Sequence, residues 1–192
     1  MKHQHSQQGA SLIEVLVATL ILSFGMLALG AMLSLGVQLP KLAGYRATAA
    51  NLASSHIERV RANPDGFKDG AYIAPSSYDG EFSANSQLET LRLNKCDYPN
   101  CDKSLLAAMD NASSKLEVRM ALPAGGMMLS CNPTPCTATS SSSSFGNLWI
   151  VWQEPSTYSS LNPSTSDNCP VEVTQAYNTD PKPRCLYVRF KI

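Results

Sequence analysis

The chain has 192 residues, of which 44% are hydrophobic, and its 15 basic and 15 acidic residues give a formal net charge of zero. This length suits one modest domain once a membrane segment is set aside. Because Lys and Arg are few and scattered, the composition argues against a nucleic-acid partner.

The N-terminal segment joins a short polar leader to a long apolar run. Val15 to Leu39 carries no charged side chain, and as a helix it would span roughly 37 Å, enough to cross a ~30 Å hydrocarbon core. Glu14 stands at its start. A carboxylate beside hydrocarbon costs on the order of a few kcal/mol, so a partner charge is expected. Alternatively, Glu14 lies at headgroup level, where the helix dipole favours a negative charge.

The order Gly9-Ala10-Ser11-Leu12-Ile13-Glu14 before an apolar helix resembles the class III signal of type IV pilins and pseudopilins. This resemblance implies cleavage between Gly9 and Ala10 by a prepilin peptidase at the cytoplasmic face, and N-methylation of the Ala10 amine. It also implies that Glu14 pairs with the amine of a neighbouring subunit. The chain differs from most relatives in having Ala10 where they have Phe. The apolar helix would be retained, unlike that of an ordinary signal peptide.

A helical pattern continues beyond the apolar run. Apolar side chains recur at three- and four-residue steps from Leu42 to Ala62, and Pro64 predicts the end of the helix. We therefore expect one long helix, bent near Pro40. The expected segments are a leader (1–9), a transmembrane or fibre-core helix (10–40), the soluble half of that helix (41–63) and a C-terminal head (64–192).

The rest of the sequence predicts a small antiparallel sheet and hence an α+β fold. Residues 67–103 read as a loop, and Lys103–Asn111 as a short helix. Alternating or β-favouring runs predict three strands: 116–122, 148–153 and 186–190. Residues 127–131 and 171–174 are weaker strand candidates, and the serine-rich run 139–144 reads as a loop.

All six cysteines follow the apolar segment, and their even number indicates an oxidising compartment. Two pairs are separated by four residues that include proline, which favours local disulfides worth about 2 kcal/mol each. The remaining pair would close a longer loop worth about 3 kcal/mol. Six cysteines permit fifteen connectivities, and the two close pairs could instead form a four-thiolate zinc site. The favoured disulfides are Cys96–Cys101, Cys131–Cys136 and Cys169–Cys185.

The sequence offers little for catalysis, and neither an enzyme nor a cofactor is expected. His3 and His5 lie in the leader, which leaves His56 on the long helix. No motif places a serine or cysteine nucleophile beside it. Gly125-Gly126 lacks the further glycines and the lysine of a phosphate-binding loop.

Residues 46–53 and 58–64, together with the strand around Trp149 and Trp152, are similar to the PilV family of minor pilins. This implies a minor pilin that primes pilus assembly, first in the inner membrane with a periplasmic head and then near the pilus tip. The implied partners are other minor pilins, the major pilin, the prepilin peptidase and a tip adhesin. The alternatives are a minor pseudopilin of a type II secretion system and, from a different class, a membrane-anchored periplasmic binding domain.

Overall fold

The computed structural model describes residues 11–73, 96, 101–132, 136, 145–154, 167, 169–176 and 182–192. Contacts divide the chain into two compact units, Met1–Ala43 and Gly44–Ile192. The elements in chain order are α1 (Leu12–Ala62), α2 (Pro64–Lys68), α3 (Lys103–Ala121), β1 (Gly126–Asn132), β2 (Phe145–Gln153), α4 (Val171–Ala176) and β3 (Pro183–Lys191).

Helix α1 ends at Ala62, as Pro64 predicts, and the next residue, Asn63, caps the following helix. The Asn63 side chain caps α2 by accepting a hydrogen bond from the Gly66 backbone N at 3.2 Å. Its Nδ2 donates to the Lys103 carbonyl at 2.8 Å. A Cβ on Gly66 would overlap the Asn63 side chain, so glycine is required for this close approach. Asn63 thus connects the end of α1 to the start of α3.

The three described strands form an antiparallel sheet in the order β1-β2-β3. In the central strand, Leu148 and Ile150 face a core in which neither side chain is exposed to solvent. Leu148 pairs with Leu129 and Val188, so the same face of all three strands is apolar. Gly146 faces this core beside Phe190, and a Cβ on Gly146 would overlap the Phe190 ring.

The second half of α1 contributes to the same core. Ala49, Ala53, Ile57 and Val60 recur at three- and four-residue steps and are all buried. Their spacing places them on one side of the helix. The predicted α+β fold is therefore confirmed, with a long N-terminal helix and a small antiparallel sheet.

Two strand predictions are wrong. Residues 116–121 of the first run belong to α3, which extends ten residues beyond the predicted end at Asn111, and Leu122 is the residue after the helix. Ala107, Asn111, Ser114 and Val118 are buried at steps of four, three and four residues, and this helical stripe outweighs the short alternating run. The 171–174 candidate is likewise helical, in α4.

The other strand predictions correspond to β1, β2 and β3, and the observed strands are longer by one to three residues at each end except the C-terminal end of β2. Pro40 lies inside α1, so the proline does not end the helix. Of the predicted 67–103 loop, residues 67–73 form the end of α2 and the turns after it. Most of that loop and the serine-rich run 139–144 lie outside the described residues.

Candidate functional site

The start of α1 carries the acidic residue that the sequence singles out. The backbone N of Glu14 donates to the Ser11 carbonyl at 2.8 Å, which opens the first turn. The Glu14 side chain is exposed and, among the described residues, meets no hydrogen-bond or ionic partner. Its position in the first turn suits the positive end of the helix dipole. Gly9 and Ala10, the expected cleavage and methylation positions, lie outside the described residues.

The first half of α1 exposes an almost continuous apolar surface. Among the described residues, α1 is the one helix that is long and apolar enough to cross a membrane. Its exposed apolar side chains extend from Leu12, which is 79% exposed, to Leu39, which is 54% exposed. A surface of this size and uniformity is unfavourable in water and favourable against lipid or other apolar helices.

Hydroxyl groups in this segment bond to the helix itself. Thr19 Oγ1 donates to the Leu16 carbonyl at 3.0 Å, and Ser23 Oγ donates to the Thr19 carbonyl at 2.7 Å. Both donors are therefore satisfied without water. The Glu14 carboxylate is the one ionisable side chain of the α1 segment from Leu12 to Leu39, and no described residue pairs with its charge.

The second half of α1 is fixed to α3 by two polar contacts. His56 Nδ1 and Ser114 Oγ lie 2.9 Å apart in the core. One turn further along each helix, Arg59 donates to the Glu117 carboxylate at 2.7 Å. Burial, followed by the positive charges of Arg59 and Lys115, lowers the pKa of His56 from 6.5 to about 4, so the imidazole is neutral at pH 7.

A network of charged groups around Arg184, the Arg184 network, connects the sheet to α1. Arg184, at the start of β3, donates to Glu154 at 3.1 Å and to Asp167 at 2.9 Å. The other Asp167 oxygen accepts from Arg46 on α1 at 3.2 Å, and the Trp152 indole N–H donates to Glu154 at 3.3 Å. The Arg184 and Glu154 side chains are only 13% and 9% exposed, so each charge needs the other to offset the free-energy cost of its burial.

The six cysteines form three disulfides in the pairs that the sequence favours: Cys96–Cys101, Cys131–Cys136 and Cys169–Cys185. The sulfurs of the two close pairs are bonded to each other, so they do not provide the four thiolates of the alternative zinc site. The Cys169–Cys185 disulfide closes the longest loop of the three and connects the segment before α4 to β3. There it borders a second apolar cluster, in which Val173 of α4 covers Val151 of β2.

The polar contacts between helices were not foreseen. The pairing of His56 with Ser114 joins residues that are 58 positions apart, and no sequence motif announces it. A helical reading of residues 103–121 would have placed Ser114 on the buried stripe and so pointed to it as a partner for a buried side chain. The Arg184 network depends on Asp167, for which the sequence gives no signal.

Comparison with known families gives a match at the N-terminus. Residues 4–30 match the family model described as the prokaryotic N-terminal methylation motif. The matched range includes Gly9, Ala10, Glu14 and the first half of the apolar run. No curated protein and no solved structure matches the chain. The methylation motif and the apolar helix that follows it support a type IV pilin-like protein, anchored in the inner membrane, that interacts with the prepilin peptidase and with other pilins.

Proposed function

We propose that this chain is a minor type IV pilin of the PilV kind, which helps to initiate pilus assembly in a complex with other minor pilins near the tip. One observation carries the proposal: helix α1 has in its first turn a carboxylate that meets no partner among the described residues, continues through an exposed apolar surface, and ends in the core of a disulfide-bonded head. The methylation motif over the first part of this helix supports the same conclusion.

The proposed mechanism is non-covalent assembly after one proteolytic step. Cleavage between Gly9 and Ala10 would free an amine close to the membrane. The Glu14 carboxylate of one subunit would then pair with the amine of its neighbour. Each charge alone is unfavourable in an apolar environment, and pairing offsets part of that cost. The pair would therefore favour one axial position of each subunit in the growing fibre.

We further propose that the head has no catalytic role. The structure does bring a serine, Ser114, to His56, which is the pair that a hydrolase would use. Here, however, the relative exposure is 3% for Ser114 and 0% for His56, so a substrate could not reach the hydroxyl. The pair is better explained as a packing contact between α1 and α3.

Processing at the N-terminus tests the pilin assignment. Mass spectrometry of the protein from its native membrane should find a chain that begins at a methylated Ala10. A Gly9→Val variant should keep its leader, because the peptidase needs the small residue at the cleavage position. A mature wild-type chain that still begins at Met1 would favour the membrane-anchored binding domain instead.

Deletion of the gene tests the finer assignment, since pilins and pseudopilins share the signal. Loss of surface pili with normal protein secretion is the expected result. Loss of secretion with normal piliation would identify the chain as a pseudopilin. Complementation with the wild-type gene should restore the process that was lost, piliation or secretion, whereas the Gly9→Val gene should not.

A further inference from the structure

The outer face of the sheet, on the side opposite Leu148 and Ile150, has a distinct composition. Because strand residues alternate between faces, β2 places Phe145, Asn147 and Trp149 there. They pair across the strands with Lys191, Arg189 and Tyr187 of β3, respectively. Val173 covers this face at Val151, and Trp149 and Met128 pack against that cluster and are partly buried. Arg189 and Lys191 are exposed, and Tyr187 keeps 47% of its surface accessible.

Two aromatic rings pack against each other on this face. The ring centroids of Trp149 and Tyr187 lie 5.2 Å apart, with 33° between the ring planes. The Tyr187 hydroxyl donates to Asn147 Oδ1 at 2.9 Å. This bond orients the amide so that its Nδ2 donors remain for another partner, and none of the described residues accepts from them. Flat rings flanked by amide donors suit a ligand with C–H faces and hydroxyl groups, such as a sugar ring.

The cations on this face meet no carboxylate within the part of the chain that the structure describes. The Arg189 guanidinium lies 4.2 Å from the centre of the Phe145 ring, and no acidic side chain of the described residues meets Arg189 or Lys191. By contrast, Arg46, Arg59 and Arg184 each bind a carboxylate. Two cations that meet no carboxylate of the described residues, beside partly exposed rings, favour an anionic ligand.

We propose that the outer face binds an anionic oligosaccharide of the polyuronate class. Its sugar rings would pack on Trp149 and Tyr187, its hydroxyls would accept from Asn147, and its carboxylates would bind Arg189 and Lys191. This activity goes beyond the assembly role and does not depend on it, because every residue involved lies in the sheet.

Two other anionic partners fit this face less well. A stable protein interface needs a desolvated apolar centre within about 800 Å² on each partner. Here the polar pair Asn147 and Arg189 lies between Phe145 and the Trp149–Tyr187 pair, so the apolar area is not continuous. Two cations would neutralise only about two phosphates, which is little for nucleic acid at physiological salt. An acidic peptide and single-stranded DNA therefore serve as comparison ligands in the test.

Binding can be measured on the purified full-length chain in a non-ionic detergent. The probe is hexagalacturonate, and the neutral comparison sugar is maltohexaose. The chain has two tryptophans, and Trp152 is 1% exposed, so a fluorescence change would report mainly on Trp149. We expect a saturable change with hexagalacturonate that weakens as salt increases, and a much smaller one with maltohexaose.

Variants then test the residues. Arg189→Gln and Lys191→Gln should each weaken hexagalacturonate binding by about tenfold, as expected for loss of a charge-assisted hydrogen bond. Tyr187→Ala should weaken it as well. Arg61→Gln is the matched control, since Arg61 is an exposed cation on α1 that binds Glu58. All four positions are at the surface, so unchanged unfolding curves should accompany the variants.

Three results would overturn the proposal: no saturable binding of hexagalacturonate, equal binding by Arg189→Gln and wild type, or binding of poly-glutamate or an oligothymidylate at least as tight as that of the sugar. The last result would identify the face as a docking surface for an acidic protein or for a nucleic acid. None of these results bears on N-terminal processing, so the pilin assignment stands or fails separately.

Discussion

His56 of α1 and Ser114 of α3 meet in the core at a distance of 2.9 Å between Nδ1 and Oγ. The Tyr72 ring packs edge-on against the imidazole, with ring centroids 6.1 Å apart. The second ring nitrogen, Nε2, is buried and has no hydrogen-bond partner among the described residues. A proton added to this site would place a charge in an apolar environment, close to the cations of Arg59 and Lys115.

Acid should therefore destabilise the head through His56. The fold holds the pKa of His56 at about 4, below its ordinary value of 6.5, so the unfolded chain binds the proton more readily. Neutral His56 thus contributes about 3 kcal/mol to the free energy of unfolding. This contribution is complete above pH 6.5 and is lost as the pH falls towards 4. Denaturant unfolding of the full-length chain at several pH values measures it.

A His56→Gln variant is the control for this pH dependence. It keeps a side chain able to bond with Ser114 but cannot titrate. We expect a lower free energy of unfolding at pH 7 and a smaller decrease between pH 6.5 and 4. An equally steep decrease in both proteins would show that other groups, such as the carboxylates, cause the acid sensitivity.

Replacing Glu14 by Gln should reduce incorporation into filaments by about tenfold or more, because the uncharged amide cannot neutralise the amine of a neighbour. Quantitative immunoblots of sheared pili and of membranes measure the incorporated and unincorporated protein. Glu58→Gln makes the same change on the exposed part of α1 and should leave incorporation unchanged. Normal incorporation of the Glu14→Gln protein would contradict the proposed charge pairing.

Removal of Arg184 should destabilise the head strongly. An Arg184→Met variant leaves Glu154 buried without its cation, and breaking such a pair costs about 3 kcal/mol or more. Arg61→Met removes an exposed arginine that pairs with Glu58 and should cost less than about 1 kcal/mol. Thermal unfolding of the two variants compares them directly. Similar losses would show that the Arg184 network contributes no more than a surface ion pair.

Adding a methyl group at Gly146 should also destabilise the sheet. The new Cβ would overlap the Phe190 ring, and the displacement needed to relieve this costs about 1–3 kcal/mol. Gly44→Ala is the matched control, because a Cβ there meets no atom within 4 Å. On helix propensity alone that change should stabilise by up to about 1 kcal/mol. A Gly146→Ala protein as stable as wild type would mean that Phe190 has room to move.

The sequence predicts the parts of the fold that depend on long or strongly biased segments. Helix α1 is such a case, because its apolar run and the proline after Asn63 fix its extent. The error over 116–122 has a physical cause: seven alternating residues fit a strand, while the buried stripe that makes them helical begins nine residues earlier, at Ala107. A window of these seven residues alone therefore favours the two-residue period of a strand over the 3.6-residue period of a helix.

The contacts within the head were less accessible from sequence. Close spacing suggested two of the disulfides, and the third followed as the remaining pair. The bonds from His56 to Ser114 and from Arg184 to Asp167 depend on how separate elements pack. Apolar periodicity shows which face of a helix is buried, but it does not show which polar side chain will lie opposite.

The Cys169–Cys185 bond has a consequence for how the head would respond to proteolysis. A single cut anywhere in the chain between these cysteines would leave both fragments covalently attached, with β3 still paired to β2. Such a nicked protein should migrate as one species on a non-reducing gel and as two after thiol treatment, so an intact band without reductant would not prove an intact backbone.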